Sequence, residues 1–164
     1  MKLISEQLTN EHAVDSFDSG VDVLDQWLRR HAQHAQAMRT ARTFVWHAGD
    51  RLVLAYFSLA AHLLVRADLP KRMGRGSPTF IPAILLARLA LARSLHGRGL
   101  GGELLWDALS RAVQASNIAA ARLVVVDAMD AAAVRFYRHH GFEPLPANES
   151  RLVQRVSDIA AALS

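Results

Sequence analysis

The 164-residue chain contains no cysteine. That removes disulfide scaffolds, zinc knuckles, iron–sulfur clusters and thiol nucleophiles together. Proline and glycine are scarce, at 5 and 9 residues, while 51% of the chain is hydrophobic, which excludes a disordered or collagen-like protein. Long apolar runs are missing too. The longest, Leu52 to Val65, has 14 residues, is interrupted by Ser58 and His62, and is bounded by Arg51 and Arg66, so it is too short to span a bilayer. The opening residues MKLISEQL carry Glu6 and no apolar stretch of the kind a signal peptide needs. What remains is the size and composition of a single domain over residues 1–164, long enough to bury a core, with no membrane partner and an expected place in the cytoplasm.

Lysine is nearly absent as well: Lys2 and Lys71 stand against 17 arginines. A GC-rich coding bias explains that ratio as well as selection for a planar, phosphate-matching fork does. It does not explain where the charge lies. Residues 1–25 are net −5, residues 29–98 are net +10, and the rest sum to −1. A positive block in the middle of a chain whose other residues are net negative points to a polyanionic ligand or partner.

Hydrophobic periodicity gives an α/β order of elements. A short strand at Lys2–Ile4 leads to a helix from Asp22, with Val23, Leu24, Trp27, Leu28 and His31 at helical spacing and Asp22 or Ser19 as its cap. Thr43–His47 and Arg51–Val65 read as strands around the turn Ala48-Gly49-Asp50. Residues 66–82 hold three of the five prolines and read as a basic loop, followed by an apolar strand at Ala83–Leu91. After a glycine-rich stretch, Ser94–Gly102, a helix runs from about Leu100 to Ser116 with Leu104, Leu105, Ala108, Leu109 and Val113 on one face. Arg122–Asp127 is a buried strand, Ala131–His140 a helix stopped by Gly141, and Phe142–Leu145 and Leu152–Val156 the last strands. The expected domain is α/β with a mixed sheet.

The stretch His96-Gly97-Arg98-Gly99-Leu100-Gly101-Gly102, between a strand and a helix, has the chemistry of a pyrophosphate cradle. Its backbone N–H groups can turn toward an anion at a helix N-terminus. A nucleoside-triphosphate loop would continue with Lys and Ser/Thr, whereas Glu103-Leu104 follows here. A dinucleotide fingerprint fits Gly97, Gly99 and Gly102, with Asp127 as ribose ligand. Against it, Ala92 to His96 separate strand from glycine and only 62 residues remain after the loop. A third reading accounts for more of the chain. Leu85-Leu86-Ala87-Arg88-Leu89-Ala90-Leu91, then His96-x-x-Gly99-x-Gly101, then Phe136-Tyr137-x-x-x-Gly141-Phe142 resembles the GCN5-related N-acetyltransferases (GNAT), from about residue 43 to 156. The resemblance implies a GNAT fold with a mixed central sheet of six to seven strands and flanking helices, acetyl-CoA as co-substrate, and no metal. It implies that Leu89, Ala90 and Leu91 lie against the pantetheine arm and that His96, Gly97, Arg98, Gly99, Leu100, Gly101 and Gly102 hold the pyrophosphate. It makes Tyr137 the catalytic acid at the sulfur. His96 departs from the family, where Gln or Arg is usual at that position.

The N-terminal half resembles a narrower group. Phe17-x-Ser19-Gly20-x-x-x-Leu24-Asp25-x-Trp27-Leu28, Arg42-Thr43-Phe44-Val45 and Leu86-x-Arg88-Leu89-Ala90 are similar to the GNAT toxins of bacterial toxin–antitoxin modules. That likeness implies acetylation of the α-amino group of aminoacyl-tRNA, a block of translation, a ribbon–helix–helix antitoxin and a homodimer. The expected RNA contacts are Lys71, Arg72, Arg75 and Arg88, within the positive block. No residue stands out as a general base. An α-amine of pKa about 7.7 is roughly one-sixth neutral at pH 7, while a lysine of about 10.4 is almost wholly charged, so an enzyme without a base suits an α-amine. An ordinary member of the family acting on a small amine or a protein N-terminus is the alternative; a catalytically idle CoA- or nucleic-acid-binding module would not need Tyr137. The histidines at 31, 34, 139 and 140 have no third ligand at recognisable spacing and read as surface residues.

Overall fold

The computed structural model describes residues 2–164. In chain order the elements are β1 (Ile4–Gln7), α1 (Asp22–Arg30), α2 (Ala32–Ala37), β2 (Arg42–His47), β3 (Ala55–Val65), α3 (Lys71–Gly74), β4 (Phe80–Leu91), α4 (Leu100–Ser116), β5 (Leu123–Asp127), α5 (Ala131–His139), β6 (Glu143–Leu145), β7 (Asn148–Arg155) and α6 (Val156–Leu163). The strands form one seven-stranded sheet in the order β1-β2-β3-β4-β5-β7-β6. It is mixed, as expected: β4 and β5 run parallel, while β1–β2, β2–β3, β5–β7 and β6–β7 pair antiparallel.

The chain divides into two compact units. One holds the chain up to Ala60 together with Ala87–Ala108; the other holds Ala61–Leu86 and Leu109–Ser164. Each has its own apolar core. In the first, Leu8, Phe17, Leu28, Val45, Val53 and Tyr56 are almost wholly buried, with Leu24 and Trp27 of α1 packed against them. In the second, Leu123, Val125 and Val153 of the sheet close over Leu69, Met73 and Ile81. The β5 strand is VVV flanked by Leu123 and Asp127, a continuous β-branched run of the kind a strand buried on both faces requires.

Several boundaries differ from the sequence expectation, each for a local reason. β1 lies at Ile4–Gln7, in register with Phe44–His47, not at Lys2–Ile4. β3 starts only at Ala55, because Arg51 takes a left-handed φ of +63° and Val53 N–H bonds to Ala13 O instead. The first turn of α1 has no side-chain cap. Val21 is its N-cap, in place of the expected Asp22 or Ser19; Ser19 instead donates its N–H at 3.0 Å and its Oγ–H at 2.6 Å to buried Asp25, tying the entering loop to the helix. The basic stretch 66–82 is not all loop, since buried Leu69 and Met73 anchor α3 and β4 already begins at Phe80. The expected strand at Leu152–Val156 is the second half of β7, which starts at Asn148 and ends at Arg155; α6 follows it, and sequence reasoning missed that helix because Ile159 is its one buried anchor. Among the described residues no helix is long and apolar enough to cross a membrane.

Candidate active site

The glycine loop and the last part of β4, from Ala87 onward, belong to the first unit. β4 pairs with β5 only from Ala83 to Leu86, against Leu123 to Val126. Farther along, Ala92 N–H donates to Leu54 O at 2.8 Å, on the β3 side. Strand alternation therefore turns the backbone N–H and C=O of Leu89 and Leu91 the other way, beyond the end of the β5 ladder. An amide-bearing chain laid there continues the ladder with its own hydrogen bonds, which is what a pantetheine arm offers.

A 3-10 turn, Arg93–Leu95, then lifts the chain into the loop. His96 Nε2–H donates to Leu91 O at 2.8 Å, so the residue that departs from the family pattern fastens the loop to the end of β4. Gly97 and Gly99 have φ of +78° and +73°, a region that costs an ordinary side chain dearly, and a Cβ at either would meet nothing within 4 Å. Glycine is demanded there by backbone conformation and leaves open space above the loop. α4 begins directly at Leu100, so its unpaired N–H groups and partial positive charge end on that space. Arg98 is exposed on the loop. A pyrophosphate is the anion this arrangement fits.

Tyr137 lies in the second unit. Asp130 caps α5 through Ala133 N–H at 2.8 Å, and the helix ends in a Schellman motif. Phe142 N–H reaches Tyr137 O at 3.0 Å and Gly141 N–H reaches Arg138 O at 3.1 Å, with Gly141 at φ +94°. A Cβ on Gly141 would lie 2.8 Å from the amide nitrogen of Gln154, the end of a side chain that can move aside, so it is the left-handed backbone that reserves the position for glycine. The motif also brings the Phe142 ring centre to 5.6 Å from that of Tyr137, which has the Phe136 ring 5.3 Å away as well. The run FYRHHGF is thus a device that fixes one phenol. Burial pushes that phenol up to about 12, which keeps it protonated at every physiological pH.

The expected RNA contacts fare differently from one another. Lys71 and Arg75 are exposed and, with Arg66, line a cleft of about 500 Å³ beside Gly74 and Gly76. Arg72 is already engaged, its Nη2 lying 2.9 and 3.0 Å from the two Glu143 oxygens. Arg88 is half-buried, with its guanidinium carbon 3.8 Å from the centre of the Trp27 ring. Asp127, the ribose ligand a dinucleotide site would require, is taken by Arg151 through two contacts of 2.7 and 2.8 Å.

Sequence reasoning missed one cluster altogether. Glu6, His12 and His47 converge, with Glu6 Oε1 at 2.8 Å from His12 Nε2 and 2.6 Å from His47 Nε2. Their spacing along the chain gives no motif: β1–β2 pairing brings Glu6 close to His47, and the turn after β1 returns His12 to them. The outer ring atoms identify the role. His12 Nδ1 accepts from Thr9 N–H at 2.9 Å and His47 Nδ1 from Gly49 N–H at 3.1 Å, so each neutral ring carries its proton on Nε2 and gives it to Glu6. A metal would need those Nε2 lone pairs and an Nδ1–H donor behind each. The cluster is a clamp on the turns flanking β1 and β2, and the two imidazole N–H donors hold the Glu6 carboxyl below its usual range.

With the loop, the strand edge and the capped tyrosine helix in place, the comparison with known families decides the assignment: the acetyltransferase (GNAT) domain family matches residues 39–144. The chain belongs to that family. A tRNA-acetylating toxin of Mycobacterium tuberculosis (strain ATCC 25618 / H37Rv) is 36% identical over 157 residues, covering 96% of this chain and 94% of the toxin. Among solved structures, AtaT complexed with acetyl-methionyl-tRNAfMet superposes with a TM-score of 0.91 at 29% identity, covering 99% of this chain and 100% of the other. A tyrosine-to-phenylalanine variant of AtaT bound to the C-terminus of the antitoxin AtaR and to acetyl-CoA gives a TM-score of 0.84 at 27% identity, over 99% and 98%. The seven-stranded mixed sheet of this GNAT acetyltransferase matches the fold of those solved structures.

Proposed function

We propose that this acetyltransferase transfers the acetyl group of acetyl-CoA to the α-amino group of an aminoacyl-tRNA, so that the blocked amino acid cannot be used in translation. The observation that carries the reading is the 36% identity, along almost the whole of both chains, to a toxin that acetylates tRNA. The positive block over residues 29–98 supports it independently. The substrate places the enzyme in the cytoplasm and makes it a toxin in need of an antitoxin; the likeness to AtaT bound by AtaR favours a protein partner of that kind, and the homodimer implied by the sequence belongs to the same reading.

In this reading the backbone of Leu89 and Leu91, held in register by buried Ala90 between them, aligns the pantetheine amides and the acetyl carbonyl, and His96 to Gly102 hold the pyrophosphate, with Arg98 reaching a phosphate oxygen. The neutral α-amine attacks the thioester carbonyl, a C–N bond forms, and the C–S bond breaks as the tetrahedral intermediate collapses. Tyr137 gives its phenolic proton to the departing sulfur, the ammonium loses one to water, and the phenolate is reprotonated from solvent. No side-chain base is required, because the α-amine is already partly neutral at pH 7.

Lys71 and Arg75 carry the tRNA backbone, and Arg72 reaches RNA only by leaving Glu143. Replacing Lys71 and Arg75 together by Ala is expected to weaken binding of charged tRNA and to flatten the plot of log affinity against log salt by about one to two units. Acetyl-CoA affinity should not move, since the cofactor loop is built elsewhere in the chain. An enzyme for small amines would behave otherwise: wild-type protein without salt-dependent tRNA binding, or a double variant with an unaltered slope, contradicts this RNA surface.

A further inference from the structure

Arg88 sits on β4 one residue before Leu89, half-buried against an aromatic ring. Alternation directs residues 88, 90 and 92 to one face of the strand, where Ala90 and Ala92 join the core beneath α1. Arg88 shares that face at the core's margin, stacked on Trp27 at 3.8 Å. Trp27 in turn stacks on Tyr56, with ring centres 6.1 Å apart and planes 12° from parallel, and the Tyr56 hydroxyl donates to Leu24 O at 2.7 Å. The guanidinium therefore rests on a stack pinned to α1.

Its charge is unanswered. Arg29 and Arg66 are bonded to backbone carbonyls, and Arg151 and Arg155 are paired with carboxylates. Among the described residues Arg88 has the aromatic face and no carboxylate or hydrogen-bond acceptor, and burial lowers its pKa from the ordinary arginine value. Removing a cation from water without a counter-charge is unfavourable, and an aromatic face attracts the charge without accepting all the N–H donors of the fork. Such a side chain is built to receive an anion.

We propose that Arg88, held flat on Trp27, binds the phosphodiester nearest the reacting amine of the aminoacyl-tRNA; the proposal rests on the acceptor named above. In that acceptor the amino acid's own carboxyl is esterified, so the closest anion to the α-amine is the phosphodiester joining the last two nucleotides. Two N–H groups of the fork match two phosphate oxygens, and the neighbouring residue, Leu89, belongs to the strand edge that receives the acetyl thioester. Arg88 thus sets the distance between the 3′ end and the thioester, a task distinct from that of Lys71 and Arg75, which touch the backbone without regard to the amine.

The test compares three acceptors at saturating acetyl-CoA: aminoacyl-tRNA, an aminoacylated CCA trinucleotide, which keeps the terminal phosphodiesters, and aminoacyl-adenosine, which has none. Arg88→Gln is expected to raise KM for the first two by about 10- to 150-fold, the loss of a hydrogen-bonded charge pair, with kcat far less affected. The KM for aminoacyl-adenosine should change less than threefold. Arg88→Lys, which keeps the charge and loses the stacked fork, should fall between wild type and Arg88→Gln on the two phosphate-bearing acceptors and match wild type on the third. Unchanged acetyl-CoA affinity reports that each variant is folded; were Arg88→Gln to lose it, the same comparison made with Arg88→Lys decides. An equal penalty on all three acceptors, or none on any, overturns the proposal. Wild-type protein that acetylates aminoacyl-adenosine and small amines but neither tRNA nor trinucleotide overturns the tRNA reading itself.

Discussion

Tyr137→Phe is expected to lower turnover by about 10²- to 10⁴-fold while acetyl-CoA binds as before. The substitution removes a proton donor and little else, because the ring contacts with Phe136 and Phe142 and the Phe142 N–H bond to the Tyr137 carbonyl survive it. Burial that raises the phenol to about 12 has two consequences. The phenol stays protonated and ready across the working range. It is also a weaker acid than a free tyrosine, while a thiol titrates near 8.5, so the proton moves only as negative charge builds on sulfur. The pH profile follows from the signs. Activity should rise with pH as the α-amine, with a pKa of about 7.7, loses its proton, and then stay level, because the acid that remains does not ionise until about 12. The variant should keep the same rising limb at a lower height. A loss under tenfold, or an alkaline fall in the wild type below pH 10, would make Tyr137 a packing residue.

Gly99→Val should weaken acetyl-CoA binding by at least about 100-fold in calorimetry. Gly99 has φ of +73°, and valine is among the residues least tolerant of that region. A Cβ there meets no protein atom within 4 Å, so the side chain would project into the space left for the anion without colliding with the fold. Gly49→Val is the matched control. Gly49 also has positive φ, +105°, and nothing within 4 Å, but it lies in the turn between β2 and β3. It should lose stability and keep cofactor affinity. Equal affinity for Gly99→Val and wild type would move the pyrophosphate elsewhere.

The local chemistry of both motifs was legible in the residues. The glycine spacing required a turn with left-handed backbone before a helix, and Gly141 marked the end of the helix that carries Tyr137. Groups joined across the sheet were not legible. Glu6 and His47 meet only through β1–β2 register, and His12 joins them through the turn after β1. Arg72 looked as free as Lys71 and Arg75, because its partner Glu143 lies 71 residues away on another element. Arg88 was readable as a cation on an apolar strand, but the Trp27–Tyr56 stack beneath it depends on how α1 packs against β4. Asp22 and Ser19 failed as caps for a related reason: capping propensity is local, and a buried Asp25 competing for the same loop outweighed it.

The central claim is that the acetyl group goes to the α-amine of an amino acid esterified to tRNA. The direct measurement is to incubate the protein with labelled acetyl-CoA and bulk charged tRNA, with deacylated tRNA in parallel, and to hydrolyse the ester linkage afterwards. The account predicts label on charged tRNA alone, released by mild alkali as N-acetyl amino acid. Label that stays on the polynucleotide after hydrolysis, label on deacylated tRNA, or transfer only to free amines and protein N-termini would contradict it.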